Sequence, residues 1–195
     1  MGVLGVGEAI FLHDEGRNHI YNGAAGHREG YAAEGAGYFD RLDGDFAIGF
    51  VSGSAPDAKV VLARDWIGAV PFHYIITRDG DVISANNVRA LMPYPDYDYG
   101  RIRAVKAGHV VTIPLKGRFT EKDVQASRYT PSLYDLPEIE GSIEQYGKAL
   151  RENLLAETEK RLNYAVKGGV PIAVAFSGGM DSFSVALAIS ELGKI

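Results

Sequence analysis

From residue 3 to about residue 115, short apolar runs follow one another: "VLGV", "AIFL", "DFAIGFVS", "KVVLARD", "VPFHYIIT", "DVISA" and "HVVTIPL". Runs of this length between small and polar positions predict β-strands. Turn chemistry separates them. "GSAPD" at 53–57 lies between two strands, Asp79-Gly80 predicts a two-residue hairpin loop, and Lys116-Gly117 ends another strand. One stretch, Arg28–Leu42, predicts a helix weakened by Gly30, Gly35 and Gly37. The texture changes over 117–140, "GRFTEKDVQASRYTPSLYDLPEIE", which is polar, contains Pro131 and Pro137, and predicts a connector between domains. After it, Ser142 and Gln145 form a capping box. Ile143, Tyr146, Leu150, Leu154, Thr158, Leu162 and Ala165 then recur at helical spacing, predicting one face of a long helix that ends at Gly168-Gly169. The stretch "VPIAVAFSGGMDSFSVALAIS" (170–190) predicts a buried strand over 170–176, a glycine turn, and a helix from about Asp181. That order of elements opens an α/β domain.

Composition narrows the function classes. The chain has 195 residues, a net charge of −5 and 46% hydrophobic residues, enough apolar content for one or two small cores. It has no basic block to neutralise phosphates, which argues against general nucleic-acid binding. No apolar run approaches the roughly 20 residues of a membrane span, and "MGVLGVGEAIFL" lacks a basic leader with a cleavage site, so no membrane partner and a cytoplasmic location are expected. Cysteine is absent, which excludes disulfides and thiolate metal sites. The 24 glycines follow no repeat period and point to loops and close packing.

The turn "SGGMDS" carries the sharpest chemistry. A turn after a parallel strand presents main-chain N–H groups at a helix N-terminus, where unpaired donors and the dipole favour an anion. Gly178 and Gly179 permit positive φ and a close approach of phosphate to the backbone. Ser177 and Ser182 add hydroxyl donors. Asp181 suits such a site when a divalent cation lies between it and the phosphate, since Mg²⁺ usually takes one or two carboxylates plus phosphate oxygens. No Gly-Lys-Ser/Thr follows, so this is not a Walker A loop. The plainer alternative is a helix N-cap with Asp181 as an ordinary first-turn acid.

"SGGMDS" resembles the pyrophosphate-binding loop of the ATP pyrophosphatases, and its flanks are similar to those of the asparagine synthetases. Upstream, "RLDGDFAIGF" (41–50), "ARDWIGAVPFHY" (63–74), "NNVRALM" (86–92), "KAGHVVTI" (106–113) and "RY" (128–129) occur in the order found in that family's N-terminal domain. The resemblance implies an α+β chain. Residues 1–116 would be a truncated N-terminal-nucleophile-like, glutamine amidotransferase-like domain of two packed antiparallel sheets between helices. Residues 117–140 would be a linker, and 141–195 the first βα unit of an adenine-nucleotide α/β synthetase domain. It also implies Mg-ATP-dependent amide formation. ATP adenylates a small-molecule or peptide carboxylate, pyrophosphate leaves, and an amine attacks. Ser177, Gly178, Gly179 and Ser182 would hold phosphate, and Asp181 the Mg²⁺.

The departures from that family are specific. Its glutaminase uses an N-terminal cysteine, whereas this chain begins Met1-Gly2-Val3 and has none, so no thioester with glutamine can form. Val6 precedes Gly7-Glu8 where the family has an oxyanion-stabilising asparagine, and "AGHRE" (25–29) puts His27 at the place of a glutamine-binding acid. No glutaminase catalytic residue is therefore assigned. Cysteine-less relatives, the β-lactam synthetases and lasso-peptide cyclases, fit the pattern better. The family's adenylating domain has further strands, so the expectation is a second polypeptide, or a longer gene product, completing the sheet. The alternative is a non-catalytic scaffold or subunit. Phe183, where the family has serine, is expected to face the core. The five histidines show no i, i+4 pair. Arg64-Asp65 reads as structural, and Trp66 with the tyrosines of "YPDYDY" reads as packed loop.

Overall fold

The computed structural model describes residues 23–93, 99–115, 121–131, 140–169 and 171–193. The "VLGV" and "AIFL" runs, Val6, Gly7 and Glu8, His13 and His19, the Lys116-Gly117 strand end, Pro137, and Val170 lie outside those residues. The chain is mixed α+β with two small antiparallel sheets, and its described residues divide into two compact units, 23–131 and 140–193.

In the first unit, helices α1 (Gly23–Glu34) and α2 (Gly37–Asp40) precede seven strands. These are β1 (Ala47–Ser52), β2 (Lys59–Arg64), β3 (His73–Ile76), β4 (Val82–Ala85), β5 (Arg103–Ala104), β6 (His109–Pro114) and β7 (Gln125–Arg128). One sheet runs β1-β2-β6-β7 and the other β4-β3-β5, with every pairing antiparallel. Burial on both faces explains why β1, β2 and β6 of the larger sheet read as nearly continuous apolar runs. Ile48, Phe50, Val61, Ala63 and Val110 join Tyr31 and Phe39 in a core against the helices. Ala47, Leu62, Val111 and Ile113 pack on the opposite side with Tyr74 of the smaller sheet and with Phe72 and Val105.

Three local expectations change in this unit. The segment 28–42 is two helices, because Gly35 takes a positive φ of 60° and ends the first one. The β3–β4 loop is one residue longer than the pair Asp79-Gly80. The Gly80 amide donates to the Thr77 carbonyl (3.2 Å), the Thr77 amide donates to the Asp81 carbonyl (2.9 Å), and Gly80 has φ 91°. That is a three-residue loop with glycine at its left-handed position. Within the expected connector, residues 125–128 form β7, with Thr112↔Gln125 through His109↔Arg128 in register on β6. All four β7 residues are exposed, so an edge strand held by main-chain bonds alone looks like linker in an apolar pattern.

The second unit contains α3 (Ile143–Lys167) and α4 (Met180–Glu191), which touch each other and are joined by an Arg151–Glu191 ion pair. The capping box is formed: the Ser142 amide donates to Gln145 Oε1 (2.8 Å) and the Gln145 amide to Ser142 Oγ (3.3 Å). Gly169, at φ 64°, closes the helix. The expected apolar stripe is buried only toward its C-terminal half, at Thr158 and Leu162, while Ile143 and Leu150 are exposed. Residues 171–176 form no strand, since no other described strand pairs with them and a ladder requires one. Phe183 is 55% exposed, so it does not face a core within the described residues. No described helix is long and apolar enough to cross a membrane.

Candidate functional site

Helix α4 starts where the chain needs a turn that only glycine adopts easily. Gly178 has φ 81°, and a Cβ built on it would meet nothing within 4 Å. Gly179 is the N-cap, at φ −83° and ψ 164°, with no side chain to cap the helix. The first helical bond runs from the Phe183 amide to the Gly179 carbonyl (3.0 Å). The N–H groups of Met180, Asp181 and Ser182 therefore point out of the helix start with no acceptor among the described residues, as at any helix N-terminus.

The two serine hydroxyls close the turn on itself. The Ser177 amide donates to Ser182 Oγ (3.2 Å), and the two hydroxyl oxygens are 3.1 Å apart. The Ser182 hydroxyl donates to the Gly179 carbonyl (3.0 Å), and the Gly179 amide donates to Ser177 Oγ (3.4 Å). In this arrangement both hydroxyl protons are spent inside the loop, and the donors left for an anion are main-chain amides. Ser177, Gly178, Gly179 and Ser182 are thus brought together as one turn. Asp181 lies in the first turn of α4, exposed and with no hydrogen-bond or ion-pair partner among the described residues. No group of three or more His, Cys, Asp or Glu suited to a metal occurs among the described residues, so Asp181 could supply a single carboxylate to a cation shared with a ligand. The open space opposite Gly178 and the free amides fit a phosphate group, and the lone carboxylate fits Mg²⁺ held mainly by phosphate oxygens.

The other singled-out residues have structural partners. Arg64 Nε and Nη1 donate to the carbonyls of Val70 (2.6 Å) and Val105 (3.1 Å), and Nη2 donates to that of Gly68. The Asp65 carboxylate accepts from the amides of Ala69 (2.8 Å) and Val70 (3.1 Å). The "RDWIG" turn is thus knotted by its own charged side chains, as the structural reading expected. His27 Nδ1 lies 2.8 Å from the Tyr38 hydroxyl, and His109 Nδ1 lies 2.7 Å from the Ala107 carbonyl. His73 Nδ1 is buried without a partner among the described residues, and burial, then the nearby Arg64 charge, hold its pKa below the usual histidine value.

Sequence reasoning missed a concavity in the first unit where Phe39, Asp40, Phe46, Trp66 and Tyr129 meet. The signal was present only as separate aromatics far apart along the chain, which sheet pairing brings together. No protein-family model and no curated protein matches the chain.

Proposed function

We propose that this chain carries the phosphate loop of an ATP-dependent amide-forming ligase of the asparagine synthetase type. The resemblance is borne by "SGGMDS" and the upstream motifs. The observation that supports it most is the left-handed Gly178 facing open space, beside the free amides of Met180, Asp181 and Ser182. In this reading the first unit is an N-terminal-nucleophile-like domain without a glutaminase nucleophile, since the sequence has no cysteine. The loop amides would hold the β- and γ-phosphates of ATP. Asp181 would anchor Mg²⁺, which supplies charge neutralisation of the leaving pyrophosphate. A hydroxyl that turned outward would give up its bond inside the loop, so Ser177 and Ser182 would first keep the turn in shape and then add donors.

The test has two readouts. Calorimetric titration of the full chain with magnesium pyrophosphate is expected to show binding that Asp181→Ala and Gly178→Val each weaken by about tenfold or more. ATP–pyrophosphate exchange, run with the chain alone and with candidate partner chains, is expected to fall to background in Asp181→Ala. Pyrophosphate binding that ignores both substitutions would overturn the assignment. A second reading, a non-catalytic scaffold, is favoured by the exposed apolar residues Met180, Phe183 and Leu187 on α4. Absence of both exchange and pyrophosphate binding would select it.

A further inference from the structure

We propose that the concavity between α2 and the strand ends of the larger sheet binds a small organic cation, an alkylammonium or alkylguanidinium, through the Asp40 carboxylate and an aromatic wall. The cavity measures about 220 Å³ and lies wholly within the first unit, independent of the phosphate-loop reading.

Its frame is fixed by long-range bonds. The Asp65 amide donates to the Phe46 carbonyl (2.9 Å), the Tyr129 hydroxyl to the Arg64 carbonyl (2.6 Å), and the Tyr129 amide to the Gly108 carbonyl (3.0 Å). Within that frame the buried rings of Phe39 and Phe46 back Tyr129, with centroids 5.7 to 6.5 Å apart, so the surface a ligand meets comes from Tyr129, Trp66 and Asp40. Trp66, 49% exposed, completes the lining. A site built this way is formed before any ligand arrives, which lowers the cost of binding.

Its charge decides the ligand class. Asp40 is exposed, with no hydrogen-bond or ion-pair partner among the described residues. The neighbouring Arg41 is engaged by Glu34, and Arg128 Nε donates to the Thr130 carbonyl. A second carboxylate that acts on Tyr129, Asp65, bonds to main-chain amides and to no cation among the described residues. Burial first, then Asp65 and Asp40, push the Tyr129 pKa up, so the phenol stays neutral. Its proton is already given to Arg64. An anion would meet an unpaired carboxylate. An organic cation gains both the Asp40 charge and contact with Tyr129 and Trp66, the combination of carboxylate and aromatic side chains that ammonium sites use.

Trp66 is the only tryptophan in the chain, so its emission reports occupancy directly. The full chain is titrated with tetramethylammonium chloride at constant ionic strength, with sodium chloride and the neutral isostere neopentane-like tert-butanol as controls. A saturable change with tetramethylammonium alone is expected, and about tenfold weaker apparent affinity in Asp40→Asn, the size expected on loss of one charge contact. Asp181→Asn should leave the titration unchanged, which separates this site from the phosphate loop. Ring-current shifts of the tetramethylammonium methyl protons give a second readout that does not depend on Trp66. Equal responses to sodium or tert-butanol, or an unaltered titration in folded Asp40→Asn, would overturn the proposal.

Discussion

Asp65 is fully buried, and its carboxylate accepts from the Ala69 and Val70 amides while Arg64 donates to the Gly68 and Val70 carbonyls of the same turn and to the Val105 carbonyl of a distant segment. Replacing Asp65 with alanine would leave buried donors unpaired, a cost of about 2–4 kcal/mol. Urea unfolding should show that loss; a change below about 0.5 kcal/mol would mean the turn finds other acceptors. His73 gives a pH signature. Its folded pKa lies below the unfolded value of about 6.5. As pH falls through that value the unfolded chain takes up a proton that the folded chain refuses, so the contribution of His73 is fully present above it and shrinks below. His73→Gln should therefore flatten the fall in melting temperature between about pH 7.5 and 5.5 relative to the parent protein. Parallel profiles would show that the imidazole is free to charge in the folded state. The pattern "ARD" at a strand end already suggested a structural pair. The unpartnered His73 Nδ1 could not be foreseen, because it depends on what packs around one strand position.

Glycine substitutions separate packing from propensity at the level of single elements. Gly30 lies in α1 with the Tyr38 ring against it, so a Cβ there would overlap the ring and displace it from His27. Gly147 lies in α3 with nothing within 4 Å of the same position. Alanine is the better helix former by about 1 kcal/mol, so Gly147→Ala should stabilise by about that amount. Gly30→Ala should instead destabilise by about 1–3 kcal/mol through overpacking. Thermal unfolding of the two variants checks the opposite signs, and equal effects would sink the packing account. Elements that local chemistry specifies were legible in the sequence: the capping box at Ser142, the Gly168-Gly169 stop and the strands "AIGFVS", "KVVLAR" and "HVVTIP". What tertiary pairing decides was not. β7 carries no apolar signal, since it is held by the edge of β6 alone. The run at 171–176 carries a strong one and forms no strand, because period and propensity cannot provide a neighbouring ladder. At the candidate site, the sequence revealed the glycines and Asp181, but the closed ring of serine hydrogen bonds depends on rotamers.

Stability is distributed unequally over the molecule. The first unit packs side chains of β1, β2 and β6 on both faces of its larger sheet, and Val61, Leu62 and Ala63 on β2 sit between two hydrogen-bonded neighbours. In the second unit, Ile172, Phe176, Met180, Phe183 and Leu187 are open to solvent, and the amides of residues 172–176 have no acceptor among the described residues. Native-state hydrogen exchange follows local opening energies, which range from near zero to the global stability. The β2 amides should therefore exchange only through global unfolding, and their rates should slow in step with any stabilising substitution in that core. The 172–176 amides should exchange near the rate of an unstructured peptide and be indifferent to Gly147→Ala. Main-chain N–H groups flanked by exposed apolar side chains become protected only when something pairs with them. Protection at 172–176 in the isolated chain would therefore mean that this segment acquires a ladder partner in solution. Dilution would then distinguish the source, because pairing between copies is lost as concentration falls and pairing within one chain is not.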